Sequence, residues 1–337
     1  MPHPLPIHDR YGLPLSTSSS VAAEHFIEGL DLLLGQNFGP EEQFAQAIEA
    51  DPNFALAHSG LAYMLHLRAQ PVEARQSVQK AQALAAAASR REQQQVEAMA
   101  RFVTGQGTSS YALIRDHLGE YPRDILMLRV AQRLCMLGCS GAGIASFPAP
   151  LFALMQSVAP VYGDDWAFLG QYAFAHHETG RLQEAYRLAE RSLALRPSNA
   201  VAAHSIAHVF FETGDAAGGG DFLGTWLESF DARAPYRVHL SWHHALFELA
   251  LGHYQRVLEL YETAIRPAVV ANKAPALNDC AALLWRVAMY SGTTPPFPPA
   301  EVRELAAAAA TKPGPAFRDV HAALAFAVAG DKVYMEQ

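Results

Sequence analysis

A self-similarity with a period of 34 residues constrains this chain more than any other feature. The first copy runs from Trp166 to Asn199, and the second starts at Ala200. In both copies Glu-Thr-Gly ends the first helix, so that Gly180 and Gly214 lie 34 residues apart. Glycine readily takes the left-handed conformation that closes a helix. Each copy therefore predicts a helix–turn–helix unit.

Two further signals support this unit. Ala173 and Ala207 supply small residues at the same packing position of the first helix. Pro197 ends a second helix, because proline has no amide hydrogen to donate. A period of 34 residues is that of the tetratricopeptide repeat (TPR), whose helix pairs bury their apolar faces by stacking. The sequence thus predicts an all-α, TPR-like α-solenoid, a right-handed superhelix of helix–turn–helix repeats.

A weaker form of the pattern extends along most of the chain. Residues 1–20, with prolines at 2, 4, 6 and 14, predict an extended N-terminal lead-in. Residues 21–337 predict a single TPR-like superhelical domain of about eight helix pairs plus a final unpaired helix. Ser89-Arg90-Arg91-Glu92 fits a capping box, in which serine and glutamate cap the same helix start reciprocally. A loop is expected at residues 295–299.

The glycine triplet at residues 218–220 interrupts the repeat that begins at Ala200. Each glycine costs roughly 1 kcal/mol in a helix interior. We therefore expect the second helix of this repeat to start later, near Asp221.

Composition excludes several classes of protein. Half of the 337 residues are apolar and only 17% are charged, unlike a disordered chain. The net charge of −8 argues against a nucleic-acid partner, because phosphate binding favours a basic surface. There is neither a signal peptide nor an apolar run of 18 residues. A cytoplasmic protein without membrane contact is predicted, and neither a bound cofactor nor a bound metal is expected.

Histidines are concentrated in one part of the chain: eight of the 15 lie between residues 176 and 253. The first helix of each TPR pair faces the concave side of the array, and residues four apart share a helix face. That face is expected to carry His177, Glu178, His204, His208, Glu212, His239, Trp242, Asp279 and Arg286, with His243 one step away. The sequence therefore predicts a histidine-rich concave groove.

Three chemistries fit such a groove. Metal binding could use the i,i+4 pair His204 and His208, completed by Glu178 or His243. Acid–base catalysis could use His208 or His243, oriented by Glu178 or Asp279. Simple recognition of a polar or anionic ligand needs only hydrogen-bond donors in a concave site. Structural roles compete with all three: Trp242 could serve only packing, and Arg286 could pair only with Asp279.

Six short motifs, spread in order over nearly the whole chain, resemble the tetratricopeptide repeat protein 38 family of bacteria and animals. They are Leu13-Pro14-Leu15-Ser16-Thr17, Asp51-Pro52-Asn53-Phe54 through His58, Arg90-Arg91-Glu92-Gln93, His204-Ser205-Ile206-Ala207-His208, Trp242-His243 with Ala245-Leu246, and Asp319-Val320-His321. The resemblance implies a TPR superhelix and no particular reaction.

The same resemblance implies functional weight for the positions that match the family pattern. These are His58, Glu178, His204, His208, His239, Trp242, His243 and His321. Residues 140–160 depart from the pattern. Family members also usually continue past the end of this chain, so a partner could supply the last wall of the groove.

The function predicted from these features is binding of a small polar ligand or a short peptide in the groove. The alternatives are a small-metabolite enzyme of hydrolase or lyase type and a protein–protein scaffold. The candidate catalytic residues are His208, His243, Glu178 and Asp279. The candidate ligand-binding residues are His58, His177, His204, Glu212, His239, Trp242, Arg286 and His321.

The last helix, predicted at Ala316–Ala329, carries an apolar stripe wider than one neighbouring helix can cover. Its members are Phe317, Val320, Ala323, Leu324, Phe326 and Ala327. Large uncovered apolar patches are unusual in monomers. We expect a two-fold homodimer through this end, with the alternative that residues 333–335 fold back over the stripe.

Overall fold

The structure, a computed structural model, describes residues 7–271, 276–291, 299–311 and 314–335. Backbone contacts divide the chain into two compact units, residues 1–205 and residues 206–337. The boundary falls within the helix Ala200–Thr213. The expectation of one continuous domain from residue 21 onward stays a prediction.

Unit 1 consists of a short β-hairpin followed by helix pairs. The strands are β1 (Ile7–His8) and β2 (Pro14–Leu15). The helices are α1 (Ser20–Leu34), α2 (Pro40–Ala50), α3 (Ala55–Leu67), α4 (Pro71–Ala85), α5 (Arg90–Val103), α6 (Gly107–Glu120), α7 (Ile125–Met136), α8 (Pro148–Val158), α9 (Trp166–Glu178) and α10 (Leu182–Leu195). Successive helices pack against one another along the unit. The expected helix pairs are therefore present.

The first and last parts of unit 1 contact each other. The backbone oxygen of Gly35, at the end of α1, accepts a hydrogen bond from the amide of Ala200 at 3.1 Å. The side-chain amide of Asn37 donates to the backbone oxygen of Ser198 at 3.2 Å. Helix α1 also packs against α7. These contacts close unit 1 on itself.

The proline-rich lead-in contains, at residues 7–15, the β-hairpin, which packs into the core of unit 1. Tyr11 and Leu15 are buried. Arg10 forms ion pairs with Asp31 of α1, at 2.7 Å, and with Asp165 at the start of α9. Polar contacts with both helices therefore hold the hairpin in place.

Helix α5 begins with half of the expected capping box. The Ser89 hydroxyl accepts from the Glu92 amide at 3.3 Å, as predicted. The Glu92 carboxylate does not return to the Ser89 amide; it accepts from the backbone N–H of Ser16 at 2.8 Å. The tertiary contact with the hairpin replaces the local one.

Unit 2 contains the remaining helices. They are the second part of α11 (Ala200–Thr213), α12 (Ala216–Ser229), α13 (Tyr236–Ala250), α14 (Tyr254–Leu260), α15 (Arg266–Val270), α16 (Ala276–Ser291), α17 (Pro299–Ala310), α18 (Ala316–Ala329) and α19 (Lys332–Met335). A π-helical turn, Tyr261–Ile265, joins α14 to α15. The loop expected at 295–299 lies, except for the first residue of α17, outside the described residues.

The glycine triplet lies inside α12, and the expected late start near Asp221 is wrong. Asp215 caps the helix by accepting from the Gly218 amide at 2.9 Å. A Cβ atom on Gly219 would collide with the ring of Phe247 on α13. The absence of a side chain thus lets α12 and α13 approach closely, and this packing offsets the low helix propensity of glycine.

The C-terminal stripe is partly covered. Phe326 is only 3% exposed and stacks on Tyr334 with ring centroids 4.7 Å apart. Phe317 and Val320 remain 67% and 59% exposed. The fold-back alternative therefore accounts for Phe326, which belongs to the core, while the homodimer stays a prediction for the rest of the stripe.

The structure agrees with the all-α prediction for both units. Apart from the two-residue strands of the hairpin, the regular elements in the described ranges are helical. Among those ranges, no helix combines the length and the apolar character needed to cross a membrane.

Candidate functional site

Six of the candidate residues lie together in unit 2, on helices α11, α13 and α16. We call this group the unit-2 cluster. Its members are His208, His239, Trp242, His243, Asp279 and Arg286. Residues His239 and His243 lie one turn apart on α13, so their side chains share a helix face. Asp279 comes from the first turn of α16, which packs against α13.

Asp279, His239 and His243 form a hydrogen-bonded chain. The Nδ1 atom of His239 lies 2.9 Å from Oδ1 of Asp279. Its Nε2 atom lies 3.3 Å from Nε2 of His243. A carboxylate only accepts, so the proton of His239 is held on Nδ1. The buried carboxylate therefore orients the first imidazole, and that imidazole reaches the second.

Burial differs along this chain of residues. His243 is 4% exposed and Asp279 is 9% exposed. The side chain of His239, in contrast, retains 28% of its accessible surface. A solute can thus reach His239 while its partner Asp279 stays protected from water.

Trp242 and Arg286 lie on one side of the cluster. The indole stacks on the His239 ring with centroids 5.3 Å apart, and the guanidinium carbon of Arg286 lies 5.9 Å from the indole centroid. Arg286 donates one hydrogen bond to the backbone oxygen of Ala282, at 3.2 Å. Asp279 pairs with His239, which was not the pairing considered from the sequence. Trp242 packs against the core of unit 2, and a ligand-binding role for it stays a prediction.

His208 contributes a further imidazole from α11. Its ring centroid lies 4.7 Å from that of His243, with the two planes tilted by 58°. Three histidines of unit 2 therefore lie in a row: His208, His243 and His239. The sequence analysis paired Asp279 with His208 or His243, whereas the direct carboxylate contact belongs to His239.

The candidates of unit 1 have other surroundings. His177 lies 3.3 Å from the carboxylate of the adjacent Glu178. The ring of His204 stacks with that of Phe174 at 6.0 Å. His58 bonds through Nε2 to the backbone oxygen of Pro52 at 3.0 Å, and its burial lowers its pKa. Metal binding by His204 and His208 stays a prediction, as does the concave groove.

The two remaining candidates of unit 2, Glu212 and His321, lie outside the unit-2 cluster. Glu212 is exposed at the end of α11. His321 bonds through Nδ1 to the backbone oxygen of Phe317, one turn earlier, at 2.6 Å. A ligand-binding role for these two residues stays a prediction.

Sequence reasoning missed a buried ionic network in unit 1. Asp124 caps α7 and accepts from Arg91 at 2.9 Å and from His117 at 3.1 Å. Burial acts to raise the pKa of Asp124, but hydrogen bonds from His117 and Arg91 hold it below its usual value. The N-cap position of Asp124 was the only feature of the local sequence that pointed to a structural role for this residue. All members are almost fully buried, so this network links α5, α6 and the start of α7 inside unit 1.

The polar contacts of His244 were also not predicted. Its Nε2 atom lies 3.2 Å from the carboxylate of Glu248, which also accepts from His253 at 2.8 Å. Burial lowers the pKa of His244, and Glu248 opposes this effect. His244 of the enriched region therefore has its polar partner within α13.

Comparison with known proteins identifies the fold. No family model matches the chain. Its structure is similar to one in the APC/C hetero-tetramer Cut9–Hcn1, with a TM-score of 0.59 and 8% identity, covering 93% of this chain and 55% of that one. It is also similar to a monomeric mutant of IFIT1 with m7Gppp-AAAA, with a TM-score of 0.52 and 12% identity, covering 91% and 71%.

A tetratricopeptide repeat protein from Parabacteroides merdae aligns with 15% identity and a TM-score of 0.45, covering 72% of this chain and 92% of its own. Together with the helix pairs, the two similarities with TM-scores above 0.5 confirm the predicted all-α, TPR-like α-solenoid class. At such low identities they show the fold alone.

Proposed function

We propose that the unit-2 cluster binds a small polar ligand or a short peptide through an anionic group. The supporting observation is the partly exposed side of His239, held by a buried carboxylate and flanked by an aromatic ring and a cation. Pockets that bind small molecules combine apolar surface with a few oriented polar groups. The cluster has this combination.

Charge favours an anionic group on the ligand. The buried carboxylate of Asp279 is engaged by Nδ1 of His239. Arg286 presents a permanent cation, of which one N–H is bonded to Ala282. A carboxylate that accepts from Arg286 while its carbon skeleton lies on Trp242 would use both residues.

A ligand screen by thermal shift tests this proposal, because a ligand that binds only the folded state raises its melting temperature. The screen would contain carboxylate metabolites and short acidic peptides. Arg286→Gln and His239→Ala should abolish any shift. Exposed His253→Ala is the matched control and should retain it. A shift that persists in both variants, or no shift with any compound, would reject the assignment.

A second candidate function is acid–base catalysis at the same cluster. The observation that favours it is the Asp279–His239–His243 chain, in which a carboxylate orients an imidazole within hydrogen-bond reach. A hydrolase or lyase acting on a small metabolite would fit. Turnover of a compound identified in the screen, lost in Asp279→Asn while binding is retained, would support an enzyme. Binding without turnover would reject the enzyme and support the binding protein.

A protein–protein scaffold is the remaining alternative. Structural neighbours such as Cut9–Hcn1 support a repeat scaffold that binds a protein or a ligand. The IFIT1 structure holds m7Gppp-AAAA; for the present chain we propose no nucleic-acid partner, since its net charge is −8. The same thermal-shift screen, extended by a capped oligonucleotide, tests this choice: a shift with the oligonucleotide alone would reverse it.

We also retain, as proposals, membership of the tetratricopeptide repeat protein 38 family and a cytoplasmic location. Trp242 and His243, part of the most specific motif of that resemblance, both belong to the unit-2 cluster. The three cysteines of the chain are free thiols, and two of them are buried. Free thiols fit a reducing compartment such as the cytoplasm.

A further inference from the structure

The two imidazoles of α13 face each other through the same ring atom. Nε2 of His239 and Nε2 of His243 lie 3.3 Å apart. Histidines four residues apart on a helix are a common arrangement of metal ligands, because one turn brings both rings to the same point. The distance between the nitrogens decides whether one ion could bind both.

The spacing fits a tetrahedral metal ion. Zinc–nitrogen bonds are about 2.0–2.1 Å long. Two nitrogens at two corners of a tetrahedron of that size lie about 3.3–3.4 Å apart. The separation of 3.3 Å between His239 and His243 equals that edge. The distance therefore allows one ion to bind both atoms.

The contact of Asp279 supplies the second sign of a metal site. Histidine ligands almost always donate their other ring N–H to a carboxylate or carbonyl, which fixes the tautomer and makes the ligating nitrogen more basic. The Nδ1 of His239 makes this bond with the buried Asp279 at 2.9 Å. With the proton held on Nδ1, the lone pair of Nε2 points toward His243.

We propose that His239 and His243 bind a divalent transition-metal ion, zinc in the first place, with Asp279 as a positioning residue. Imidazole nitrogen suits zinc, nickel and copper better than magnesium or calcium. His208 lies beside His243, with ring centroids 4.7 Å apart. The remaining coordination positions are open to water or to an anionic ligand.

The site is accessible to such an ion. The side chain of His239 is 28% exposed, so an ion can enter from that side. The buried partners, His243 and Asp279, keep the inner side of the site away from bulk water. Metal binding at this position goes beyond the proposed ligand recognition, and it would give a carboxylate ligand a cation to bind.

The test measures metal binding to the full chain with no organic ligand present. The protein is purified in a chelator, dialysed, and titrated with Zn²⁺ by calorimetry and with Co²⁺ by visible absorption, which reports four-coordinate geometry. Wild type should bind one ion per chain. His239→Ala and His243→Ala should each lose more than 100-fold in affinity. His253→Ala, an exposed histidine of the same unit, should bind as wild type does.

Asp279→Asn separates positioning from support of the fold. This variant should bind zinc about 10–100-fold more weakly, and the cobalt spectrum should change, while the melting temperature of the metal-free chain stays close to that of wild type. His239→Gln, which keeps a polar side chain of similar reach, serves if His239→Ala fails to fold.

Wild type that binds neither zinc nor cobalt would overturn the proposal, as would variants of His239 and His243 that bind as tightly as wild type. Ligand screening is repeated with chelator present. Zinc binding without any ligand shift would reject the proposed function and keep the metal site. A thermal shift with a ligand in the presence of chelator, together with no zinc binding, would keep the proposed function and reject the metal site.

Discussion

The buried ionic network of unit 1 and the unit-2 cluster use charged and histidine side chains in opposite ways. In unit 1, Arg91 and Asp124 are 4% and 3% exposed, and their hydrogen bonds run to His117, to Pro14 and to each other. In unit 2, the side chain of His239 is 28% exposed, although its partner Asp279 is buried. The first network lies wholly inside the fold, and the second has one accessible end.

This difference separates polar residues that stabilise from those that can bind. A buried carboxylate whose donors are all internal offers nothing to a ligand, however unusual its surroundings. A carboxylate that orients a partly exposed imidazole affects how that imidazole binds a solute or exchanges a proton with it. Variants that cut each network should therefore have different effects on stability in the two units.

The largest effect is expected for Arg91→Ala. Removal of one partner from a buried ion pair leaves the other charge uncompensated and typically costs about 3–5 kcal/mol. Arg90→Ala, next in sequence but with an exposed ion pair to Glu120, should change the free energy of unfolding by less than about 1 kcal/mol. Urea denaturation measures both. Equal losses of unfolding free energy in the two variants would mean that burial does not determine how much an ion pair contributes to stability.

The counterpart in unit 2 should be smaller. Asp279→Asn keeps the shape of the side chain and one acceptor for His239, so about 1 kcal/mol is expected. A loss as large as that of Arg91→Ala would show that the unit-2 cluster serves the fold in the same way as the network in unit 1.

A second large effect is expected at Gly219. Because a Cβ atom there would meet the ring of Phe247, Gly219→Ala should overpack the contact between α12 and α13 and cost about 1–3 kcal/mol. At the neighbouring Gly220 a Cβ would meet ordinary contacts, the nearest at 3.7 Å. Gly220→Ala should therefore stabilise α12, by up to about 1 kcal/mol. Thermal unfolding of the two variants gives the comparison, and destabilisation by both would contradict it.

Local signals predicted most of the helices. The repeat around Trp166 and Gly180, together with stops such as Pro197, depends only on neighbouring residues. The contacts of Glu92 and Gly219 were not predictable in this way. Their partners, Ser16 and Phe247, lie 76 and 28 residues away along the chain. The spacing of residues along one helix does not predict such long-range contacts.

The candidate site was predictable in part for the same reason. Helical spacing placed His239 on the candidate face and His243 one step away from it, and Asp279 was placed on the same face of another first helix. Which imidazole would contact the carboxylate depends on the rotation of α13 against α16, which no motif specifies. The sequence therefore predicted the members of the unit-2 cluster better than their pairing.

Histidines whose pKa is lowered in the fold, three of them in unit 1, should make stability depend on pH. Burial lowers the pKa of His66, and the nearby Arg133 cation lowers it further. Burial also lowers the pKa of His58 and His176. Below about pH 6.5, the usual histidine pKa, the unfolded chain binds more protons than the folded chain. Stability should therefore fall as the pH decreases through this range and level off below the folded pKa values.

His66→Phe tests this assignment, because it removes the titrating group and keeps a ring against Phe102, whose centroid lies 4.7 Å from that of His66. Urea denaturation from about pH 7.5 to about pH 5 should give a smaller slope for the variant than for wild type. An unchanged slope would assign the pH dependence to other groups.

The smallest effect on stability is expected at the C-terminal end of unit 2. Phe317 is 67% exposed, so Phe317→Asp should change the free energy of unfolding by no more than about 0.5 kcal/mol. If the predicted homodimer forms through this residue and Val320, light scattering should give twice 36.6 kDa for wild type and 36.6 kDa for the variant. Phe326→Asp cannot serve as this test, because Phe326 is buried beneath Tyr334 and its loss would damage the core. A monomeric mass for wild type at micromolar concentration would reject the dimer, and it would leave Phe326 covered by the fold-back of residues 333–335 and Phe317 and Val320 exposed.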